Sequence, residues 1–131
     1  MARSMDIFVE ADVPIQVFVK EVEMLLGIKL QRISDSEGVY YEFQNSPIIF
    51  TVGTHEFVND RDMNFEDYRY HLSVWGLHIG DGAAPQKSRD EFVRFVFQKL
   101  KASQRYRLML VEDIQVKLEV FQQPMSAKVN P

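Results

Sequence analysis

Two histidines, five carboxylates and two asparagines fall within the stretch 55–71. No other part of the chain is so dense in side chains that could bind a metal, move a proton or meet a charged partner. Asp60, Asp62 and Asn64 are spaced like the first three ligands of a calcium-binding loop. That motif requires glycine at its sixth position and a bidentate glutamate at its twelfth. Those positions hold Phe65 and His71, so the calcium reading fails. His55 and His71 with Asp60 and Asp62 are donors that would suit zinc or a non-haem metal, provided they converge. His71 with Asp67 is the corresponding choice for acid–base work. The plainer reading is a solvated loop, with Asn59 and Asn64 making side-chain turns. On these grounds no catalytic residue, metal or cofactor is assigned.

Nucleophilic and nucleotide chemistry find less support. Cysteine is absent, and no serine sits in a Gly-x-Ser-x-Gly elbow. Gly80 and Gly82 lack the third glycine of a dinucleotide fingerprint, and no phosphate-binding loop occurs.

The elements that must position this stretch are read from periodicity. Residues 5–11 suit a short strand, with Ile7 and Val9 on one face and Phe8 on the other. Asp12 is the expected N-cap of a helix over 13–26, with Pro14 in its first turn and Gly27 as its stop. Its apolar stripe is Ile15, Phe18, Val19, Val22, Leu25 and Leu26, leaving Lys20, Glu21 and Glu23 on the wet side. Strands follow over 28–33, 39–43 and 48–52, the last apolar on both faces and so expected in the interior of a sheet. The loop 54–67 is long enough to suggest a functional or mobile segment. In the strand 68–75, Tyr68, Tyr70, Leu72 and Val74 belong to the core face, and Arg69, His71, Ser73 and Trp75 share the other.

After a flexible connection at 80–85, Ser88 and Glu91 have capping-box spacing and open a helix that ends near Ser103. A strand over 106–111 comes next. Residues 114–120 alternate like a strand after a turn at Glu112 and Asp113, although Leu110, Ile114, Leu118 and Phe121 also fit a helical face; the strand is preferred. The expectation is one α+β domain over 1–131, with frayed ends near 1–4 and 122–131. It has an antiparallel β-sheet of about five to six strands and two α-helices packed on one face. Met5 reads as a second candidate start of the chain.

At 46% hydrophobic and 26% charged, the 131 residues have the balance of an ordinary globular domain. The net charge of −4 argues against nucleic acid as partner. It outweighs the late cluster of Lys99, Lys101, Arg105 and Arg107 around Tyr106, which reads more simply as a helix end and a strand edge. No apolar run has the length of a membrane span or the layout of a signal peptide, and a cytoplasmic location is expected. Trp75, the single tryptophan, either packs beneath a helix or joins Tyr40, Arg69 and His71 as an aromatic and guanidinium anchor for a partner.

Two stretches carry a resemblance. Asp60, Arg61 and Asp62 followed by residues 65–70, and Leu100, Lys101 and Ala102 followed by residues 106–110, resemble a group of small uncharacterised bacterial proteins. The layout is similar to that of small immunity proteins that neutralise toxins in interbacterial competition. The resemblance implies a non-enzymatic protein-binding module, in its most specific form an inhibitor of a basic toxin. Read from the charge of the loop and the outer face of the aromatic strand, and not from the resemblance, its contact residues would be Glu56, Asp60, Asp62, Glu66, Asp67, Arg69, His71 and Trp75. Two alternatives stand beside it. One is a small metal-dependent or acid–base enzyme using the 55–71 loop, and the other is a structural subunit that self-associates, as in a homodimer.

Overall fold

The computed structural model describes residues 4–36, 38–45, 47–76, 84–112 and 116–121. Its elements in order are β1 (Ser4–Glu10), α1 (Ile15–Leu26), β2 (Gln31–Asp35), β3 (Gly38–Asn45), β4 (Ile48–Thr54), β5 (Tyr70–Gly76), α2 (Ala84–Ser103), β6 (Arg107–Glu112) and β7 (Val116–Phe121). The strands form one antiparallel seven-stranded sheet in the order β2-β3-β4-β5-β1-β6-β7. The α+β architecture matches the expectation, with one strand more than the upper count. No helix among the described residues is long and apolar enough to cross a membrane.

Strand β1 organises the sheet because it is buried on both faces from Ser4 to Val9. Met5, Ile7 and Val9 join Phe50, Val52, Tyr70, Leu72, Val74, Leu108 and Leu110 in the main core. Both helices close that core from the same side: α1 with Phe18, Val19, Val22 and Leu26, and α2 with Val93, Val96, Phe97 and Leu100. Burying so many large side chains, each worth roughly 1.5–3 kcal/mol, is what holds the layers together. Neither α-helix covers the opposite sheet face, where a short 3-10 turn at Phe65–Asp67 lies instead. There Phe8, Met109 and Val111 form a second, smaller core with Met63, Phe65 and Tyr68 of the segment between β4 and β5.

Local signals were displaced in several places. Asp12 does not cap α1; Pro14 stands at the cap in extended conformation, and its carbonyl accepts from the Val17 and Phe18 amides at 3.1 and 3.0 Å. Gly27 does end the helix, left-handed at φ 69°. Glu21 and Glu23 are not merely solvated. Glu21 accepts from the Tyr106 hydroxyl and lies 3.7 Å from Arg105, and Glu23 accepts from the Leu30 amide at 2.7 Å. Helix α2 begins at Ala84, so Ser88 and Glu91 lie inside it instead of capping it. Pro85 falls in the first turn, where its missing N–H costs no helical bond. Strand β2 starts three residues later than expected, at Gln31. The strand reading of 116–121 holds, with a register irregularity against β6 at Leu110 and Val111. The expected turn residue Asp113, the connection 80–83 and the ends 1–3 and 122–131 lie outside the described residues.

Strand β2 is a short edge carrying Arg32 and Asp35. Short, charged edges resist pairing with another sheet.

Candidate functional site

The sheet face away from the two α-helices carries His71, Trp75 and the segment 55–69. On this face the strand register sets Phe8, His71 and Gly53 in one row across β1, β5 and β4, with Tyr40 of β3 beside Gly53. Asp6, Ser73, Thr51 and Glu42 form the next row, and Ser4, Trp75, Ile49 and Gln44 the one after. Trp75 is 40% exposed. It lies on the face away from the helices and does not pack beneath one.

His71 and Asp6 are 65 residues apart in the chain and hydrogen-bonded in space, with Nε2 2.8 Å from Oδ1. The other carboxylate oxygen of Asp6 accepts from the Ser4 hydroxyl at 2.7 Å. Asp6 is wholly buried, so both bonds are needed to offset its desolvation. A carboxylate only accepts, so the His71 ring donates to it from Nε2. Phe8 stacks on the ring at 4.7 Å, and Phe57 meets it edge-on at 5.4 Å. The neighbouring Ser73 hydroxyl is buried and has no hydrogen-bond partner among the described residues.

The segment 55–69 is held by internal hydrogen bonds and by packing against the sheet. Met63, Phe65 and Tyr68 plug into the second core. Tyr68 is thus buried on the face opposite Tyr70, and β5 starts two residues after it. Asp60 and Met63 exchange backbone bonds at 3.0 and 2.9 Å and close a tight reversal, with Arg61 left-handed at its tip. Asn59 and Glu66 each accept from the other's amide, at 2.9 and 3.0 Å. Asn64 donates to Asp67 at 2.7 Å. Two arginines tie the segment down. The Arg107 guanidinium donates to the Asp67 carbonyl at 3.0 Å and covers the Tyr68 ring, and Arg69 pairs with Glu10 at 3.3 Å.

His55 is the central fastener. Its Nε2 bonds the Tyr68 carbonyl at 2.6 Å, and its Nδ1 accepts from the Phe57 amide at 3.0 Å. A carbonyl only accepts and an amide N–H only donates, so the ring is neutral with its proton on Nε2. Burial holds its pKa below the ordinary imidazole range; the Tyr68 bond opposes this, and the nearby His71 adds to it. A protonated ring would have no lone pair for the Phe57 amide. The unfolded chain therefore takes up a proton, near pH 6.5, that the folded chain resists. The stability from this group is complete above that pH and is lost as the pH falls through the lower folded-state pKa. Denaturation midpoints at pH 7.5 and pH 5 should show a drop on acidification that is smaller in His55→Gln; an equal drop would exclude this role.

Of the residues weighed for a metal or acid–base site, His55 and His71 come within 6.2 Å of each other between ring centroids, but the groupings themselves are not formed. Both His55 nitrogens are occupied, Asp60 sits in the reversal, and His71 bonds Asp6 in place of Asp67. Among the described residues no three of His, Asp and Glu are grouped to hold a metal ion. The late basic cluster is engaged as well: Lys101 with Glu119 at 3.1 Å, Arg105 with Glu21, Arg107 with Asp67, and Lys99 over the Phe95 ring. What the segment does present outward is charge. Glu56, Asp60, Asp62, Glu66 and Asp67 are all exposed, against the exposed guanidiniums of Arg61 and Arg69. Glu66 and Asp67 also serve the internal framework, and Arg69 is committed to Glu10.

Sequence reasoning missed Asp6, Ser4 and Phe8. Their alternation with Met5, Ile7 and Val9 was the available signal, but a half-polar face reads as solvent-facing until its partner strands are known. In comparisons with known proteins, no family model and no curated protein matches the chain.

Proposed function

We propose that the chain is a non-enzymatic protein-binding module, in its most specific form an immunity-type inhibitor of a basic bacterial toxin. One observation carries this reading. A fastened acidic segment adjoins a sheet face that the helices leave open and on which Trp75 is exposed. Carboxylates held on a rigid frame need little ordering when a partner docks, so more of the contact energy is retained as affinity. Clustered negative charge also steers a basic partner and speeds encounter. Trp75 has the size and amphipathic character of an interface anchor.

The test takes the purified products of the genes flanking this one and measures their binding to the chain by surface plasmon resonance. A variant carrying Glu56→Gln, Asp60→Asn and Asp62→Asn is expected to associate about tenfold more slowly at low salt. Its rate should converge with that of the native chain at high salt. Trp75→Ala should lose about 2 kcal/mol of affinity while folding stability changes by less than about 1 kcal/mol. An association rate indifferent to both the loop charges and the salt would reject the steering role. Full affinity in Trp75→Ala would remove the anchor.

A further inference from the structure

A cleft of about 320 Å³ opens on the helix side of the sheet, lined by Ile15, Gln16, Arg32, Val39, Tyr41 and Thr54. The strand register builds most of it. Arg32 of β2 stands opposite Tyr41 of β3, and Tyr41 opposite Val52 of β4, so all three belong to the face that carries the main core. Val39 lies two residues before Tyr41 and Thr54 two residues after Val52, which keeps both on that face. The first turn of α1 contributes Ile15 and Gln16. Ile15 and Tyr41 pack against the main core, so the apolar part of the wall is held in place.

The lining is of two kinds. Ile15, Val39 and the Tyr41 ring are apolar. Arg32, Gln16, Tyr41 and Thr54 carry side-chain donors, and among the described residues none of these four side chains makes a hydrogen bond or an ion pair. No carboxylate of the described residues lines the cleft. Helix α1 has no acidic residue in its first turn and no side-chain cap, so its positive end has the same sign as Arg32. The cleft is thus locally positive in a chain of net charge −4. Protecting the β2 edge needs only a charge there, not one set over a cleft with three further donors. A bare phosphate would use the donors and waste the apolar wall. A neutral apolar molecule would cover the donors without satisfying them. An organic acid uses both, and its carboxylate matches the guanidinium fork with two parallel bonds.

We infer that this cleft binds a small organic acid, its carboxylate on Arg32 and its apolar body against Ile15, Val39 and Tyr41. Gln16 and Thr54 offer the remaining bonds to the carboxylate oxygens. The volume lies at the lower end of the range of small-ligand sites, so the acid is a compact one. The cleft is on the other side of the sheet from Trp75 and the acidic segment, and it does not depend on the binding-module reading.

The test titrates the isotope-labelled protein with benzoate, followed by NMR. Benzamide serves as the neutral analogue of the same shape, and inorganic phosphate as an anion without an apolar body. Saturable shifts at Gln16, Arg32, Val39, Tyr41 and Thr54 are expected with benzoate, with benzamide and phosphate each binding at least about tenfold more weakly. Arg32→Gln should weaken benzoate at least about tenfold, and Arg32→Lys, which keeps the charge without the planar fork, should recover part of the loss. Val39→Glu places a carboxylate in the cleft, where it engages Arg32 and repels a second anion, and should abolish the response. Arg32 and Val39 are both exposed, so these variants should keep the fold. Equal binding of benzoate and benzamide, phosphate binding as tightly as benzoate, no saturable response at the cleft, or an undiminished response in folded Arg32→Gln would each overturn the assignment.

Discussion

Replacing Phe8 by alanine is expected to destabilise the fold by about 4 kcal/mol and to release the acidic segment from the sheet. Phe8 is wholly buried, yet it lies on the side away from the two α-helices. Its ring meets His55 at 5.0 Å, Phe57 at 5.7 Å, Phe65 at 4.7 Å and His71 at 4.7 Å. Three of those neighbours belong to the segment 55–69. Removing the ring therefore opens a cavity and withdraws the surface on which the segment is seated. The main core on the other face keeps its packing around Ile7, Phe18 and Leu72. Chemical denaturation should give the stability loss, and amide exchange should locate it. Amides in 55–68 are expected to lose protection well before those of β4 and β5. A loss below about 1.5 kcal/mol, or uniform loss of protection, would mean the second core is not a distinct support.

Asp6→Ala should cost about 3 kcal/mol, a large effect for one small polar side chain. The carboxylate is the common acceptor for Ser4 and His71, and both it and Ser4 are inaccessible to solvent. Its removal strands two donors in a region that water does not reach, and frees the His71 ring to turn. Asp6→Asn retains the shape and one acceptor and should lose less. A double-mutant cycle with His71→Ala isolates the pair, with an expected coupling of about 1–2 kcal/mol. Nitrogen NMR of His71 gives an independent reading: the proton should sit on Nε2 in the native chain and spread over both ring nitrogens in Asp6→Ala. Zero coupling with an unchanged tautomer would show that the contact has no energetic weight.

The two changes also separate support from recognition. Phe8 and Asp6 lie beneath the surface, whereas Trp75, Glu56, Asp60 and Asp62 are on it. Substitutions in the first group should act on binding through the position of the segment, and those in the second should act without altering stability.

By itself the sequence determined what depends on local period. The stripe Phe18, Val22 and Leu26 is three to four residues apart and can form only one face of a helix, and Gly27 ends it because the left-handed conformation costs glycine little. Alternation in 70–75 separates Tyr70, Leu72 and Val74 from His71, Ser73 and Trp75 whatever the neighbouring strands are. These signals suffice for an α+β fold, for two helices and for most strands. They also place the acidic segment directly before the aromatic strand.

Only the tertiary structure decided which faces are covered, and with what. Strand β1 looks like a modest terminal strand by composition; pairing with both β5 and β6 makes it one of the most deeply buried elements. The Asp6–His71 contact spans 65 residues, and no local pattern encodes it. Tyr68 and Tyr70 fit one alternating run, yet they end on opposite faces because the chain enters the sheet only at Tyr70. The loop 54–67 looked solvated because its two buried apolar residues, Met63 and Phe65, lie among polar neighbours and set no period of their own. Their burial depends on a hydrophobic surface assembled from β1 and β6, which are distant in the chain and form a surface only once the sheet has closed.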